Sequence, residues 1–325
     1  MKSINTTLFY IPVLHKLCIK LNNLISIYNI LMSVFVSFIY FLLKALDKFL
    51  NKIFKKKNFI NHLFDKLYSK NISEIKINNK SVKFWTPGNY SKYMVDNFLQ
   101  KEKLVEKFIL EIPDNNDIIF WDIGANLGVY SLFCASNKEN VKTIAFECSP
   151  SAVLAISKNI SLNNFENKIC IFQLGLTDKK NIFLMLKEDK DSLGDQHISL
   201  GRDFDFENKK IHISENKYKL YSNSIFDILQ NKALEIPNYI KLDVGSFELE
   251  VLEGFGHFLE NPKIKSIVIE MKFSSKKIEE YVFDKDKMSE KSNKIYDILF
   301  KAGFKSQHLE NKNKKEGWYL DIFYR

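Results

Sequence analysis

The stretch WDIGANLGVYS at residues 121–131 reads as the end of a strand, a glycine-bearing turn and the start of a helix. IIFWD at 118–122 is short and apolar up to its terminal acid, the pattern of a strand buried on both faces. Gly124, Asn126 and Gly128 punctuate the turn, and a helix is expected from about Val129 to Asn137. The same alternation continues outward. TIAFE at 143–147 is a second strand, and Ser149-Pro150 opens a helix running to about Asn163. ICIFQL at 169–174, IFLML at 182–186, YIKLD at 239–243, SIVIEM at 266–271 and the terminal WYLDIFYR supply the remaining strands. An apolar helix is expected around 248–259, and KIYDILFKAGF at 294–304 is a helix closed by Gly303. This order predicts an α/β fold: a doubly wound, mostly parallel seven-stranded sheet with helices on both faces.

Upstream, EIKINNKSVKFWT at 74–86 alternates around an Asn-Asn-Lys turn and predicts a β-hairpin. Met94, Phe98, Val105, Phe108 and Ile109 fall at helical spacing and predict a helix over about 89–111. Three segments result: a basic, apolar N-terminal helical extension (1–60), a hairpin and helix leading into the core (61–116), and the α/β domain (117–325).

The net charge is +9, and residues 1–60 carry nine lysines against one acid, Asp47. The remaining 265 residues are therefore close to neutral, which argues against a nucleic-acid substrate held on a basic catalytic face. Between Lys20 and Lys44 no residue is charged, a length that would cross a bilayer's hydrocarbon core. Lys44, Lys48, Lys52, Lys55, Lys56 and Lys57 follow it, so residues 20–57 are read as a membrane-surface contact with everything downstream cytoplasmic. A spanning helix, a helix lying in the interface, and a helix packed on the catalytic domain all fit this pattern. Cys18, Cys134, Cys148 and Cys170 form no CxxC pair, and the six histidines form no HxH or HExxH. A reducing compartment fits, without a thiolate or histidine metal site.

The turn's spacing is D-x-G-x-N-x-G, unlike the G-x-G-x-x-G of dinucleotide binders. Ligands of doubly wound sheets bind at the carboxyl ends of strands, near helix N-termini. Gly124 permits close backbone approach to a ligand, and Gly128 permits tight helix packing. An acid beside the turn suits the amino-acid tail of S-adenosylmethionine, so Asp122 is assigned to its ammonium, directly or through water. Glu147, closing the second strand 25 residues later, can accept from both ribose hydroxyls. A tight structural loop and a solvated strand end are the plainer readings of each alone, and the combination in this strand context disfavours them.

On these residues the sequence resembles the FkbM-type methyltransferases, from about residue 117 to 272. The resemblance is carried by DIGANLGVYSL (122–132), FECSP (146–150), Asn159 and Asn163 in KNISLNN, GLTD (175–178), IKLDV (240–244), FELEVLEGF (247–255) and IVIEM (267–271). It implies a Rossmann-like methyltransferase fold and S-adenosylmethionine bound by Asp122, Gly124, Asn126, Gly128, Glu147 and Leu176. It also implies methyl transfer, most often to oxygen, on sugars or other small-molecule and cell-surface acceptors. Two departures stand out: Cys148 where the family has proline, and Gly245-Ser246 where it has an acid or amide followed by glycine.

A sulfonium is already electrophilic, so the protein's task is alignment and, for an oxygen acceptor, a base for its proton. Asp243 is the first candidate for that base or for a divalent cation, Glu270 the second, and Glu248 could orient either. The plainer readings are a helix-capping Asp243 and a solvated Glu248. Asp243 and Glu270 could bind a divalent cation through oxygen, though the spacing does not require one. The polar stretch 187–222 falls where such folds carry an acceptor loop, and Ser192, His197 and Arg202 are assigned to it. The alternatives to a glycan or small-molecule O-methyltransferase are a methyltransferase acting on protein or nucleic acid, and a protein that binds the cofactor without turnover.

Overall fold

The computed structural model describes residues 7–54, 59–77, 80–101, 103–115, 117–188, 198–201, 216–245, 247–272, 289–307 and 318–325. The chain divides into two compact units, Met1–Ser69 and Lys70–Arg325.

The first unit is helical. α1 (Thr7–Phe54) is one long helix, and α2 (Phe59–Lys70) follows it. Its Ile30–Ile53 stretch is long and apolar enough to cross a membrane; no residue of it is fully buried, and Leu43, Asp47, Leu50 and Asn51 are half-buried. Leu31, Val34, Phe35, Phe38, Phe41 and Leu42 all lie exposed along it. Asp47 accepts from the Ile60 N–H at the start of α2, at 3.2 Å.

The second unit opens with the antiparallel hairpin β1 (Ile72–Ile77) and β2 (Lys80–Trp85). The helix expected over about 89–111 is described as α3 (Asn89–Lys101) and α4 (Lys103–Glu111), with residue 102 outside the described residues.

The principal strands and helices then alternate: β3 (Ile119–Ile123), α5 (Val129–Asn137), β4 (Lys142–Glu147), α6 (Pro150–Asn163) and β5 (Ile169–Gln173). β6 (Gly175–Leu176), β7 (Ile182–Glu188), β8 (Ile198–Leu200) and β9 (Asn216–Asn223) come next, followed by α7 (Ile225–Gln230), β10 (Tyr239–Leu242) and α8 (Glu248–Glu253). A 3-10 turn (Gly256–Glu260), β11 (Ser266–Lys272), α9 (Glu290–Lys301), β12 (Lys305–Ser306) and β13 (Trp318–Tyr324) complete the chain. The main sheet has the order β12-β13-β11-β10-β3-β4-β5. β11, β10, β3, β4 and β5 run parallel, and β13 is antiparallel to both neighbours.

The sheet is covered on both faces. Phe120, Ala145 and Val268 meet Val105, Phe108 and Ile109 of α4, Leu132 and Phe133 of α5, and Ala155 and Ile156 of α6. Trp121, Ile123, Ile240, Leu242, Ile267 and Ile269 meet residues of α7, α8 and α9 on the other. Adjacent residues of β3 thus enter opposite cores, and all five are buried. That is why the strand reads as an unbroken apolar run.

Two elements differ from the sequence expectation. IFLML does not join the main sheet: β7 lies in a second sheet, β6-β9-β7-β8, and the short β12 is the seventh main-sheet strand. The helix expected over 248–259 stops at Glu253. A side chain at Gly254 would stand 2.3 Å from the Thr177 carbonyl, and Gly256 takes φ +55°, so the backbone turns there into the 3-10 segment.

The hairpin is fastened to α6 by two asparagines one helical turn apart. Asn163 accepts from Lys83 N–H at 2.9 Å and donates to the Lys83 carbonyl at 2.7 Å. Asn159, without exposed surface, accepts from Trp85 N–H at 2.6 Å.

Candidate active site

The turn between β3 and α5 explains its own sequence. Gly124, Asn126 and Gly128 take φ of +79°, +51° and +75°, so every second residue is left-handed. Glycine and asparagine are the residues that tolerate this region. At Gly124 the constraint is also steric: a Cβ would stand 1.9 Å from the Asp243 carbonyl oxygen. At Gly128 a Cβ would meet Leu132 and Ile156 at 3.1–3.3 Å, the close packing of α5 on α6.

The turn is tied to β4. Gly124 N–H and Ala125 N–H both donate to the Phe146 carbonyl, at 3.0 and 2.9 Å, and Asn126 N–H donates to Glu147 Oε2 at 2.8 Å. Cys148 N–H and Ser149 N–H donate to Glu147 Oε1, each at 2.8 Å. Gly124 and Glu147 therefore share one edge of the sheet. The turn N–H groups, expected to face a ligand anion, are here largely spent on β4 and its carboxylate. Burial pushes the Glu147 carboxyl above its ordinary value, against the pull of its backbone donors and of Lys241.

Asp122 has no exposed surface. Its Oδ2 accepts from Ser131 Oγ at 2.7 Å, and its Oδ1 lies 3.5 Å from Lys241 Nζ. Lys241 is its partner in the β3–β10 register and is 3% exposed. The same ammonium donates to the Gly124 carbonyl at 3.0 Å, stands 3.8 Å from Asp243 Oδ2, and lies 5.1 Å from the centre of the Tyr130 ring.

Asp243 follows β10 directly, and its N–H donates to the Ile123 carbonyl at 3.1 Å. Glu248, in the first turn of α8 and 4% exposed, accepts from Val244 N–H at 2.9 Å, so it holds the backbone beside Asp243. Ile269 of β11 pairs with Leu242, which sets Glu270 level with Asp243 on the adjoining strand. Gly245 takes φ +61°. Leu176 is buried in the α7–α9 core, beside the bond from Thr177 N–H to the Asn223 carbonyl. Ser192, His197 and Arg202, and Ser246 of the departing Gly-Ser pair, lie outside the described residues. No group of three or more His, Cys, Asp or Glu able to hold a metal occurs among the described residues.

The sequence reading missed four groups that the structure brings to this edge. Lys241 carried a signal: a lysine inside an apolar strand run must find a buried partner. Asn159, already noted for its spacing, donates from Nδ2 to the Leu127 carbonyl at 2.9 Å and so joins the turn to the hairpin. Glu188 accepts from Ser149 Oγ at 2.6 Å, and the Tyr218 hydroxyl is pushed above its ordinary value by burial and then by Glu188. Neither of these last two had a sequence signal, because β7 and β9 arrive from a separate sheet. Burial, then Glu147, also holds the Cys148 thiol well above the usual range, which keeps it un-ionised.

The arrangement suits a small ligand carrying a diol and a cationic end. Glu147 sits beside a turn that only small or left-handed residues can form, and Asp243 stands at the neighbouring strand tip. Asp122 Oδ1 is buried with no hydrogen bond to it.

The chain matches one family model and is similar to known methyltransferases. The methyltransferase FkbM domain profile matches residues 122–306. The hexuronic acid methyltransferase AglP of Haloferax volcanii is 23% identical over 173 residues, which cover 53% of this chain and 63% of that protein. The methyltransferase sdnD of Sordaria araneosa is 25% identical over 164 residues, covering 45% of this chain and 62% of that protein. The chain thus spans under two thirds of the length of either relative. Among solved structures, the methyltransferase FkbM from Methylobacillus flagellatus KT aligns at TM-score 0.43 and 12% identity, over 66% of this chain and 45% of that one.

Proposed function

Because this chain belongs to the FkbM methyltransferase family, we propose that it is an S-adenosylmethionine-dependent O-methyltransferase acting on a sugar or other small glycan acceptor. The observation that carries the reading is the 2.8 Å bond between Asn126 N–H and Glu147 Oε2, which unites the left-handed turn and the strand-end acid. Glu147 is the ribose ligand in this reading: three backbone N–H groups already occupy three of the about four lone-pair sites of its carboxylate, which leaves one on Oε2 for a ribose hydroxyl. Asp243 and Glu270 stand at the adjoining strand tips as the acids facing the reaction. S-adenosylmethionine, when bound, supplies a methyl group on a sulfonium. The chain's residues supply alignment and a proton acceptor. With the cofactor bound, Asp243 would take the proton of the acceptor hydroxyl as its oxygen receives the methyl group and the sulfonium becomes a neutral sulfide, with Glu270 beside it and Glu248 fixing the Asp243 backbone. The name of the Haloferax volcanii relative, a hexuronic acid methyltransferase, supports a sugar acceptor.

The exposed apolar stretch of α1 and the lysines after it support attachment to the cytoplasmic face of a membrane through residues 20–57. A cofactor-binding protein without turnover is the second reading, favoured by Gly245-Ser246 standing where the resemblance implies an acid or amide followed by glycine.

Calorimetric titration of the intact protein with S-adenosylmethionine tests the proposal. Binding that Glu147→Ala weakens by at least thirtyfold is expected. A folded protein that binds neither S-adenosylmethionine nor S-adenosylhomocysteine would overturn it.

A further inference from the structure

We propose that Lys241 is a positioning residue of this site: its buried ammonium ties Asp122, Asp243 and the Gly124 carbonyl into one unit and sets the charge felt by the bound sulfonium. The inference rests on the methyltransferase reading and adds to it a residue and a role.

The argument begins with cost. An ammonium 3% exposed inside an otherwise apolar strand gives up its hydration, and a packed aliphatic side chain would serve the core as well or better. The ion earns its place through what it touches. An ammonium has three donors, and three oxygens stand around this one: Gly124 O at 3.0 Å, Asp122 Oδ1 at 3.5 Å and Asp243 Oδ2 at 3.8 Å. These belong to the turn, to the strand leading into it and to the tip of the next strand, the parts that must keep a fixed relation if donor and acceptor are to align. Asp122 is braced from the far side by Ser131, and Tyr130 covers the ammonium from α5. The turn keeps three other ties to β4, through Gly124, Ala125 and Asn126 N–H, so losing Lys241 leaves it standing. What is lost is one positive charge beneath two acids.

That charge supplies a readout needing no acceptor. The donor S-adenosylmethionine carries a sulfonium and the product S-adenosylhomocysteine a neutral sulfide. Removing a cation from the floor of the site favours the charged ligand over the neutral one. At an effective dielectric near 20, a unit charge about 10 Å away shifts that preference by about tenfold.

The experiment measures both dissociation constants for wild type, Lys241→Met and Lys241→Arg. Lys241→Met is expected to raise the preference for S-adenosylmethionine over S-adenosylhomocysteine by about tenfold, while Lys241→Arg stays within about threefold of wild type. A folded Lys241→Met whose preference moves less than twofold overturns the inference and leaves the methyltransferase reading intact. Wild type that binds neither ligand removes the reading, and this inference with it. Should Lys241→Met fail to fold, nitrogen-15 lysine labelling of wild type decides the matter. A protected ammonium resonance that differs between the two ligand complexes supports the role, and one that is identical in both overturns it.

Discussion

Asn159 and Leu127, 32 residues apart, are joined by a 2.9 Å bond from the buried Asn159 amide to the Leu127 carbonyl. The same side chain accepts from Trp85 of the hairpin, so one amide couples the hairpin that precedes the main sheet to the turn that carries the site. Asn163, one helical turn on, fastens the hairpin alone.

That difference separates a binding effect from a stability effect. Asn159→Asp keeps an acceptor for Trp85 but turns a carboxylate oxygen toward the Leu127 carbonyl, leaving a buried acceptor unpaired at a cost of about 1–3 kcal/mol. It is expected to weaken S-adenosylmethionine binding at least fivefold. Asn163→Ala is expected to lose about 1 kcal/mol of stability and to change affinity less than twofold. Urea unfolding together with calorimetry measures both, and equal losses of affinity in the two variants would contradict the coupling.

Gly124→Ala and Gly128→Ala put a number on the turn. Both residues are left-handed, which costs an alanine about 1–2 kcal/mol in either place. Only at Gly124 does the new carbon also strike backbone, the Asp243 carbonyl at 1.9 Å, whereas at Gly128 it meets side-chain carbons at 3.1–3.3 Å. Gly124→Ala should therefore displace β10 from the turn and lose more than a hundredfold in affinity. Gly128→Ala should lose less than tenfold. The reverse order would mean that the close approach of β10 is irrelevant to binding.

Glu147 predicts a pH dependence with a defined sign. Its carboxyl is raised by burial, so it takes up its proton at higher pH than an ordinary glutamate. The ionised form accepts hydrogen bonds and the protonated form has lost that capacity at one oxygen. Affinity for S-adenosylmethionine should be full near neutral pH and fall as pH drops, beginning above the ordinary glutamate range. Titrations between pH 7.5 and 5 check this, and affinity flat across that window would mean that Glu147 does not contact the ribose.

The parts legible in the sequence are those whose signal is local. The apolar run of β3, its terminal acid, the Gly-x-Asn-x-Gly turn and Glu147 all follow from spacing along one βαβ unit, and the structure brings them to one edge. Lys241 and Asn159 are read correctly as parts of a strand and a helix, yet their partners come from elsewhere in the chain. Only the register of β3 on β10 shows that Lys241 faces Asp122. The strand at 182–188 has the composition of a main-sheet strand. Its pairing with Asn216–Asn223 is a choice among partners that periodicity does not encode. The turn after Glu253 goes with the left-handed Gly256, and the Thr177 carbonyl against Gly254, a tertiary contact, admits only glycine there.

The N-terminal helix yields the last prediction. From Lys20 to Lys44 the chain carries no charge, and at about 1.5 Å per residue this stretch is as long as a bilayer's hydrocarbon core is thick. No residue of Ile30–Ile53 is fully buried, and only Leu43, Asp47, Leu50 and Asn51 are half-buried, the observation that motivates the membrane proposal. On the proposed attachment the apolar stretch enters the bilayer and the lysines that follow meet anionic head groups. Lys70–Arg325 forms its own compact unit, so deleting residues 1–57 leaves the proposed catalytic part whole. In cells expressing either form, the intact chain should sediment with membranes and the truncated chain should stay in the supernatant. Alkaline carbonate then separates the modes of attachment, because a spanning helix stays in the pellet and an interfacial one is released. If both forms stay soluble to the same degree, the membrane proposal falls.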